Sequence, residues 1–316
     1  MRPVLKTVVL AVALLGVGIW SDPGVAREQQ APSSHVVLDL PDGYKPSQLF
    51  SGFTDDALGV SIIVLELPGE AYEKVSKGLT ADALAAKGVK DAKPMQLTRP
   101  QPYVYMRAVQ ATDRGEYEKR LLVIHQRGVT ALITANIEAS RLKSGEITED
   151  QITAIMNSAH IAVSPAPSKD VFQLDYLGSF KPAATVLGTT RLYTLDGKQA
   201  NGKKPHKVVL IVAPSLDRRL VPPNETYAER LLEGVPGLEK FKIEAQRTTE
   251  IAGLKAVELE ATAQDKDTGG ELALYQVLIL GKQGGYYRIF GQAPVADRDV
   301  LMPEFRKIAQ SFHPVE

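Results

Sequence analysis

The chain has no cysteine among its 316 residues. That absence excludes disulfide bonds, and it excludes the lipid-modified cysteine of a lipoprotein anchor. It also removes the softest metal ligand, and the five histidines (His35, His125, His160, His206 and His313) show none of the i, i+4 pairs of a zinc-binding helix. An excess of either charge is missing too: 37 basic residues face 37 acidic ones. Removing residues 1–26 takes away Arg2, Lys6 and Asp22, which leaves 35 basic and 36 acidic residues. Such a balance supplies no electrostatic drive toward nucleic acid or an anionic membrane surface. Glycine-rich stretches such as Gly284-Gly285 lack the lysine of a phosphate loop and the spacing of a dinucleotide fingerprint.

Long apolar runs are confined to the start. Arg2 and Lys6 precede an apolar stretch from Thr7 to Trp20, and Gly24-Val25-Ala26 supplies small residues. This is the pattern of a secretory signal cleaved near Ala26, and the run is short for a bilayer span, which needs about 20 apolar residues. The alternative is a retained anchor. The expected location is periplasmic or secreted, with no stable membrane span once the signal is removed.

The chain repeats itself. Leu38-Asp39, four residues, then Tyr44-Lys45-Pro46 recurs as Leu174-Asp175, four residues, then Phe180-Lys181-Pro182. Ile152, Ile155, Ser158 and His160 recur as Phe305, Ile308, Ser311 and His313 with the same spacing. The expected organisation is a signal over 1–26, a flexible leader over 27–34, one domain over 35–163, a Pro/Ser linker over 164–169 and a second domain over 170–316.

Periodicity gives both units one order of elements. An opening strand (Val36–Leu40 or Val171–Tyr176) is followed by a second strand (Val60–Leu67 or Val208–Ala213) and a helix (Ala71–Lys87 or Glu225–Gly234). Three strands follow, over Tyr103–Thr112, Tyr117–His125 and Val129–Asn136, or over Leu254–Thr262, Glu271–Leu280 and Tyr286–Gly291. Turn sequences such as Gln126-Arg127-Gly128 predict an antiparallel meander. A closing helix places Ile152, Ile155, Met156 and Ala159, or Phe305, Ile308, Ala309 and Phe312, on one stripe. Pro303 is expected in its first turn. The fold class is α+β, an antiparallel sheet packed with helices and made twice.

Leu40-Pro41-Asp42-Gly43-Tyr44 near the start and Gly285-Tyr286-Tyr287-Arg288-Ile289 before the closing helix resemble the PsbP-like family, which includes extrinsic photosystem proteins and exported bacterial relatives. The resemblance implies an α/β/α sandwich in each unit. It carries over no functional residues, and it implies a binding or assembly factor more than an enzyme.

Several constellations carry residue types capable of chemistry. The repeated Ser-x-His, at Ser158/His160 and Ser311/His313, lacks the geometry of a nucleophile and base, and a histidine at a helix C-terminus complements the dipole. Asp265, Asp267 and Glu271 form an acidic turn that falls short of a calcium loop, because Gly269 stands where an oxygen ligand belongs and Gln276 where the loop needs a glutamate; a solvated hairpin tip is expected. Lys198, Lys203, Lys204 and Lys207 form a basic loop, read as solvated or as a dock for an anionic partner. Asn224-Glu225-Thr226 is a formal sequon, and Asn224 is also an N-cap for the following helix. The expectation is therefore no enzyme and no cofactor, but an exported binding or accessory protein. Its partner would be an envelope protein or a small ligand in the cleft between the domains. The alternatives are an exported hydrolase built on Asp265, Asp267, Glu271 or His313, and a purely structural envelope protein.

Overall fold

A computed structural model describes residues 26–112, 115–168, 170–198, 208–216, 218, 224–282 and 284–315. In the first unit the strands are β1 (Arg27–Gln30), β2 (Val36–Leu40), β3 (Lys45–Pro46), β4 (Gly52–Asp55), β5 (Val60–Pro68), β6 (Val89–Pro94), β7 (Tyr103–Thr112), β8 (Gly115–Gln126), β9 (Val129–Glu138) and β10 (His160–Ile161). The helices are α1 (Tyr72–Gly78), α2 (Ala81–Ala85), α3 (Ala139–Ser144) and α4 (Glu149–Ser158). The second unit contains β11 (Phe172–Leu174), β12 (Lys181–Val186), β13 (Thr190–Thr194), β14 (Val209–Pro214), β15 (Leu238–Ile251), β16 (Leu254–Asp265), β17 (Glu271–Leu280), β18 (Tyr286–Pro294) and β19 (Phe312–Pro314), with helices α5 (Glu225–Glu233) and α6 (Arg298–Gln310).

Each unit is built on a seven-stranded antiparallel sheet. The strand orders, β3-β4-β5-β9-β8-β7-β6 and β12-β13-β14-β18-β17-β16-β15, correspond strand for strand. The short repeated sequence motifs thus mark a repeated topology. Two-residue turns hold the meanders in register: Arg127-Gly128 and Ala252-Gly253 all have positive φ, at 52°, 75°, 52° and 72°. That backbone twist matches the twist of the strands the turns join.

Both faces of each sheet are covered. In the first unit, Ile152, Ile155 and Met156 of α4 pack over Tyr105, Leu122 and Ile133, while Leu84 of α2 packs with Met106, Ala108 and Leu121 on the other face. In the second, Phe305, Ile308 and Ala309 of α6 cover Tyr275, Val277 and Ile289, while Ala228 and Leu232 of α5 cover Leu259, Leu274 and Phe290. This is the α/β/α sandwich the resemblance implied. No one of these cores draws residues from both units.

Three expectations are corrected. Residues 27–34 are no loose leader: β1 pairs antiparallel with β2, and Gln30 Nε2 donates to the Ser34 and Ser164 carbonyls at 2.9 and 2.7 Å. The helix expected over Ala71–Lys87 is two helices, because Thr80 turns to extended backbone and N-caps α2 through Ala83 N at 3.2 Å. Pro303 lies in the interior of α6, whose first turn begins at Arg298. The edge strands β6 and β15 formed no part of the expectation. Of the 14 residues of β15 only Leu238 and Ile251, at its ends, are buried, and its apolar alternation is confined to the short stretch Phe241, Ile243 and Ala245. Charged residues along its exposed edge discourage pairing with another chain.

Polar groups tie each closing helix to its sheet. Arg120 on β8 is only 1 % exposed, and its guanidinium pairs with Glu118 at 3.1 Å and with Glu149 in the first turn of α4. In the second unit the signs are reversed. Glu258 and Glu260 stand on β16 and pair with Arg306 of α6, and Arg247 of β15 holds Glu258 through two bonds of 2.9 and 2.7 Å. Burial, with Glu258 nearby, pushes the Tyr275 phenol up, so it stays protonated there. Arg120→Ala is expected to cost on the order of 3 kcal/mol in urea unfolding, and Arg120→Met to recover most of it. A loss below about 1 kcal/mol for the alanine variant would show that the buried guanidinium is not structural.

Candidate functional site

The repeated serines close each unit. Ser158 Oγ accepts from Asp39 N and donates to Ile155 O, both at 2.8 Å. Ser311 Oγ accepts from Tyr176 N at 3.1 Å and donates to Ile308 O at 2.8 Å, while Asp175 N donates to Ser311 O at 3.1 Å. Each hydroxyl therefore joins the end of the closing helix to the end of the opening strand. The histidines lie past the helices, in strands β10 and β19, and their partners are carboxylates. His160 Nε2 is 3.7 Å from Glu28, and His313 Nε2 is 2.8 Å from Asp175. His160 Nδ1 also lies 3.2 Å from Ser158 O, the last carbonyl of α4, so the expected contact with the helix C-terminus is present there beside the carboxylate.

The remaining candidates separate. Asp265 Oδ1 accepts from Asp267 N, Thr268 N and Thr268 Oγ1 at 2.8–3.0 Å, which folds the acidic turn onto itself between β16 and β17. Glu271 opens β17. His35 pairs with Glu66 at 3.0 Å, and His125 lies beside the Tyr72 ring at 5.7 Å. Among the described residues no group of three or more His, Cys, Asp or Glu is placed to hold a metal. Lys198 N donates to Thr194 Oγ1 at 3.1 Å; Lys203, Lys204 and Lys207 lie outside the described residues. Asn224 caps α5 by accepting from Tyr227 N at 3.0 Å.

The units meet through a hairpin loop. Ser51 N donates to Leu187 O and Thr189 Oγ1 donates to Leu49 O, both at 2.6 Å. Gly188 has φ +76°, and a Cβ there would lie 3.2 Å from Ser33 Cβ and 3.3 Å from Ser51 Cβ, so only glycine sits in the seam without displacing a neighbour. At this point the junction is filled with contacts.

Beside the junction lies a groove of about 580 Å³, built wholly from the second unit, between β11 and β12. Phe172, Leu174, Pro182 and Tyr193 supply its apolar walls, and Asp170 and Arg191 its charged end. Arg191 donates to Asp170 and, at 3.1 Å, to Gly188 O, which links the groove wall to the docked hairpin. Burial pushes the Tyr193 phenol up against the opposing pull of Arg191, so it remains a hydrogen-bond donor at neutral pH. The lining includes one hydroxyl suited to attack, Thr185, and no histidine or lysine to act as its base. The carboxylate of Asp170 is held by Arg191. Its residues carry no motif of their own, and only the contrast between what precedes Val36 and what precedes Phe172 could have pointed to it.

No family profile matches the chain, and no curated protein does. Among solved structures, PsbP (CyanoP) of Synechocystis sp. PCC 6803 is 11% identical, with 45% of this chain and 95% of that one covered at a TM-score of 0.29. LpqN, involved in cell envelope biogenesis of Mycobacterium tuberculosis, is 15% identical, with 46% and 83% covered at 0.31. The immunity protein TplEi of the Pseudomonas aeruginosa T6SS, solved with a peptide, is 8% identical, with 93% and 99% covered at 0.28. At such identities and scores these likenesses carry no functional argument.

The serine geometry yields a test. Ser158→Ala and Ser311→Ala are each expected to lose about 1 kcal/mol of stability, and the two losses should add, because the clasps sit in different units. Urea unfolding of both single variants and the double variant measures this. A loss of binding or activity with unchanged stability would instead place the serines in a functional site.

Proposed function

We propose that the chain is a non-catalytic binding or accessory protein of the cell envelope, exported by its N-terminal signal and acting in the periplasm or outside the cell. The observation that carries this reading is the groove between β11 and β12, with apolar walls and a charged end whose carboxylate, Asp170, is paired with Arg191. The repeated polar residues support it as well, since Ser158 and Ser311 are engaged in closing the fold. A tandem architecture suits such a role, because ligand sites gather at domain junctions. A groove set against the linker can couple an occupant to the hairpin that joins the units.

Native mass spectrometry of residues 27–316, purified gently from the source organism, tests the proposal. The expected result is a stoichiometric added mass, either a polypeptide or a small molecule. A bare chain that instead turns over an ester, amide or glycoside, and loses that activity on His313→Ala, would contradict it in favour of a hydrolase.

A further inference from the structure

The two units differ at one edge. In the first, the small sheet has three strands in the order β1-β2-β10; in the second it has two, β11 and β19. The registers correspond, since His160 lies opposite Val37 on β2 and His313 opposite Gln173 on β11. Among the described residues the second unit has no counterpart of β1, and β11 pairs with β19 alone.

The open edge has its bonding groups in place. Val171 O accepts from Val315 N and Asp175 N donates to Ser311 O, so alternate residues of β11 face β19. By the alternation of a strand, Phe172 O and both backbone groups of Leu174 face the other way. In the first unit the matching groups meet the β1 side: Ala31 N donates to Val36 O at 2.9 Å, and Leu38 lies opposite Gln29. The groove of about 580 Å³ is lined by Phe172, Gln173 and Leu174 and lies along β11.

We propose that this edge is a peptide-binding site, filled by an extended segment of a partner polypeptide that adds to β11 as β1 adds to β2. The first unit indicates the chemistry of the guest. β1 reads Arg-Glu-Gln-Gln, and its Glu28 carboxylate lies 3.7 Å from His160 Nε2. His313, the counterpart of His160, is 54 % exposed and paired only across the surface with Asp175. A guest strand with an acidic residue in the place of Glu28 would lie opposite Asp175 and share its exposed imidazole partner, His313. Backbone bonds give such a site its affinity, and the alternate side chains its selectivity. The inference deepens the binding role proposed above and rests on it.

The probe is a capped synthetic peptide with the sequence of residues 26–32, Ala-Arg-Glu-Gln-Gln-Ala-Pro. It is added at millimolar concentration to the intact 27–316 chain, with amide exchange followed by NMR. The expected result is at least about tenfold slower exchange at Leu174 with Leu38 unchanged, since a buried ladder bond protects its amide. A peptide N-methylated at the amides that face β11 should give no protection. Glu28→Gln in the peptide, and His313→Ala in the protein, should each weaken binding by about threefold, as an exposed polar contact allows. Unchanged exchange at Leu174 would overturn the proposal, as would protection that survives N-methylation. Protection of Leu174 without peptide, together with a doubled mass, would assign the edge to a second copy and equally contradict it. A polypeptide partner seen by mass spectrometry that leaves Leu174 exchanging freely would keep the binding role and remove this site.

Discussion

The fold depends on a clasp between the first strand and the last helix of each unit. An antiparallel sheet made by a meander leaves its closing helix attached at one end only. Here the helix lies across the sheet on an apolar stripe, and the chain then turns into a short strand beside the opening one. Ser158 and Ser311 sit at that turn, each bonding a helix carbonyl with its proton and a strand amide with its oxygen. A net gain of about 1 kcal/mol per hydrogen bond is modest, but it falls where the ends of each unit meet. The ion pairs below the helix, Arg120 with Glu149 and Arg306 with Glu260, fix its other contacts.

One frame with two sets of attachments follows. The first unit is sealed by β1, and the linker runs back along Ser33 and Ser34, where Ala166 N donates to Ser34 O at 2.8 Å. The second unit has the same clasp and the same sheet, yet β11 keeps an open edge beside a groove. An exposed strand edge is a hazard for aggregation, and proteins commonly cover or charge it. β15 shows the second solution, with charged residues along its length. β11 is short and flanked by the Asp170–Arg191 pair. The proposed binding role falls where the two units differ.

Much of this was legible in the sequence, for reasons that differ by element. Val36–Leu40, Tyr103–Thr112 and Glu271–Leu280 could be read to the residue, because apolar runs of strand length ended at turn residues. The helix before Gly234 was legible because Asn224 caps it. β15 was not, because an edge strand buries almost nothing and its pairing is imposed by β16. β1 was not either: Arg-Glu-Gln-Gln has the composition of a solvated leader, and only the partner edge of β2 makes it a strand. The serines and histidines were visible as a repeat, but a repeat cannot distinguish a clasp from a catalytic pair. That distinction rests on the amides of Asp39 and Tyr176, which are far from those residues in sequence. The groove was hidden because it lies along an edge of β11 that, among the described residues, no counterpart of β1 covers.

The account turns on the asymmetry between two otherwise equivalent edges, and amide hydrogen exchange of the unliganded 27–316 chain reads it directly. Leu38, covered by β1, should exchange slowly, near the rate set by unfolding of the first unit, and its counterpart Leu174 should exchange many times faster. Equal protection at the two positions would mean that β11 is already covered, and the open edge on which the binding role rests would not exist.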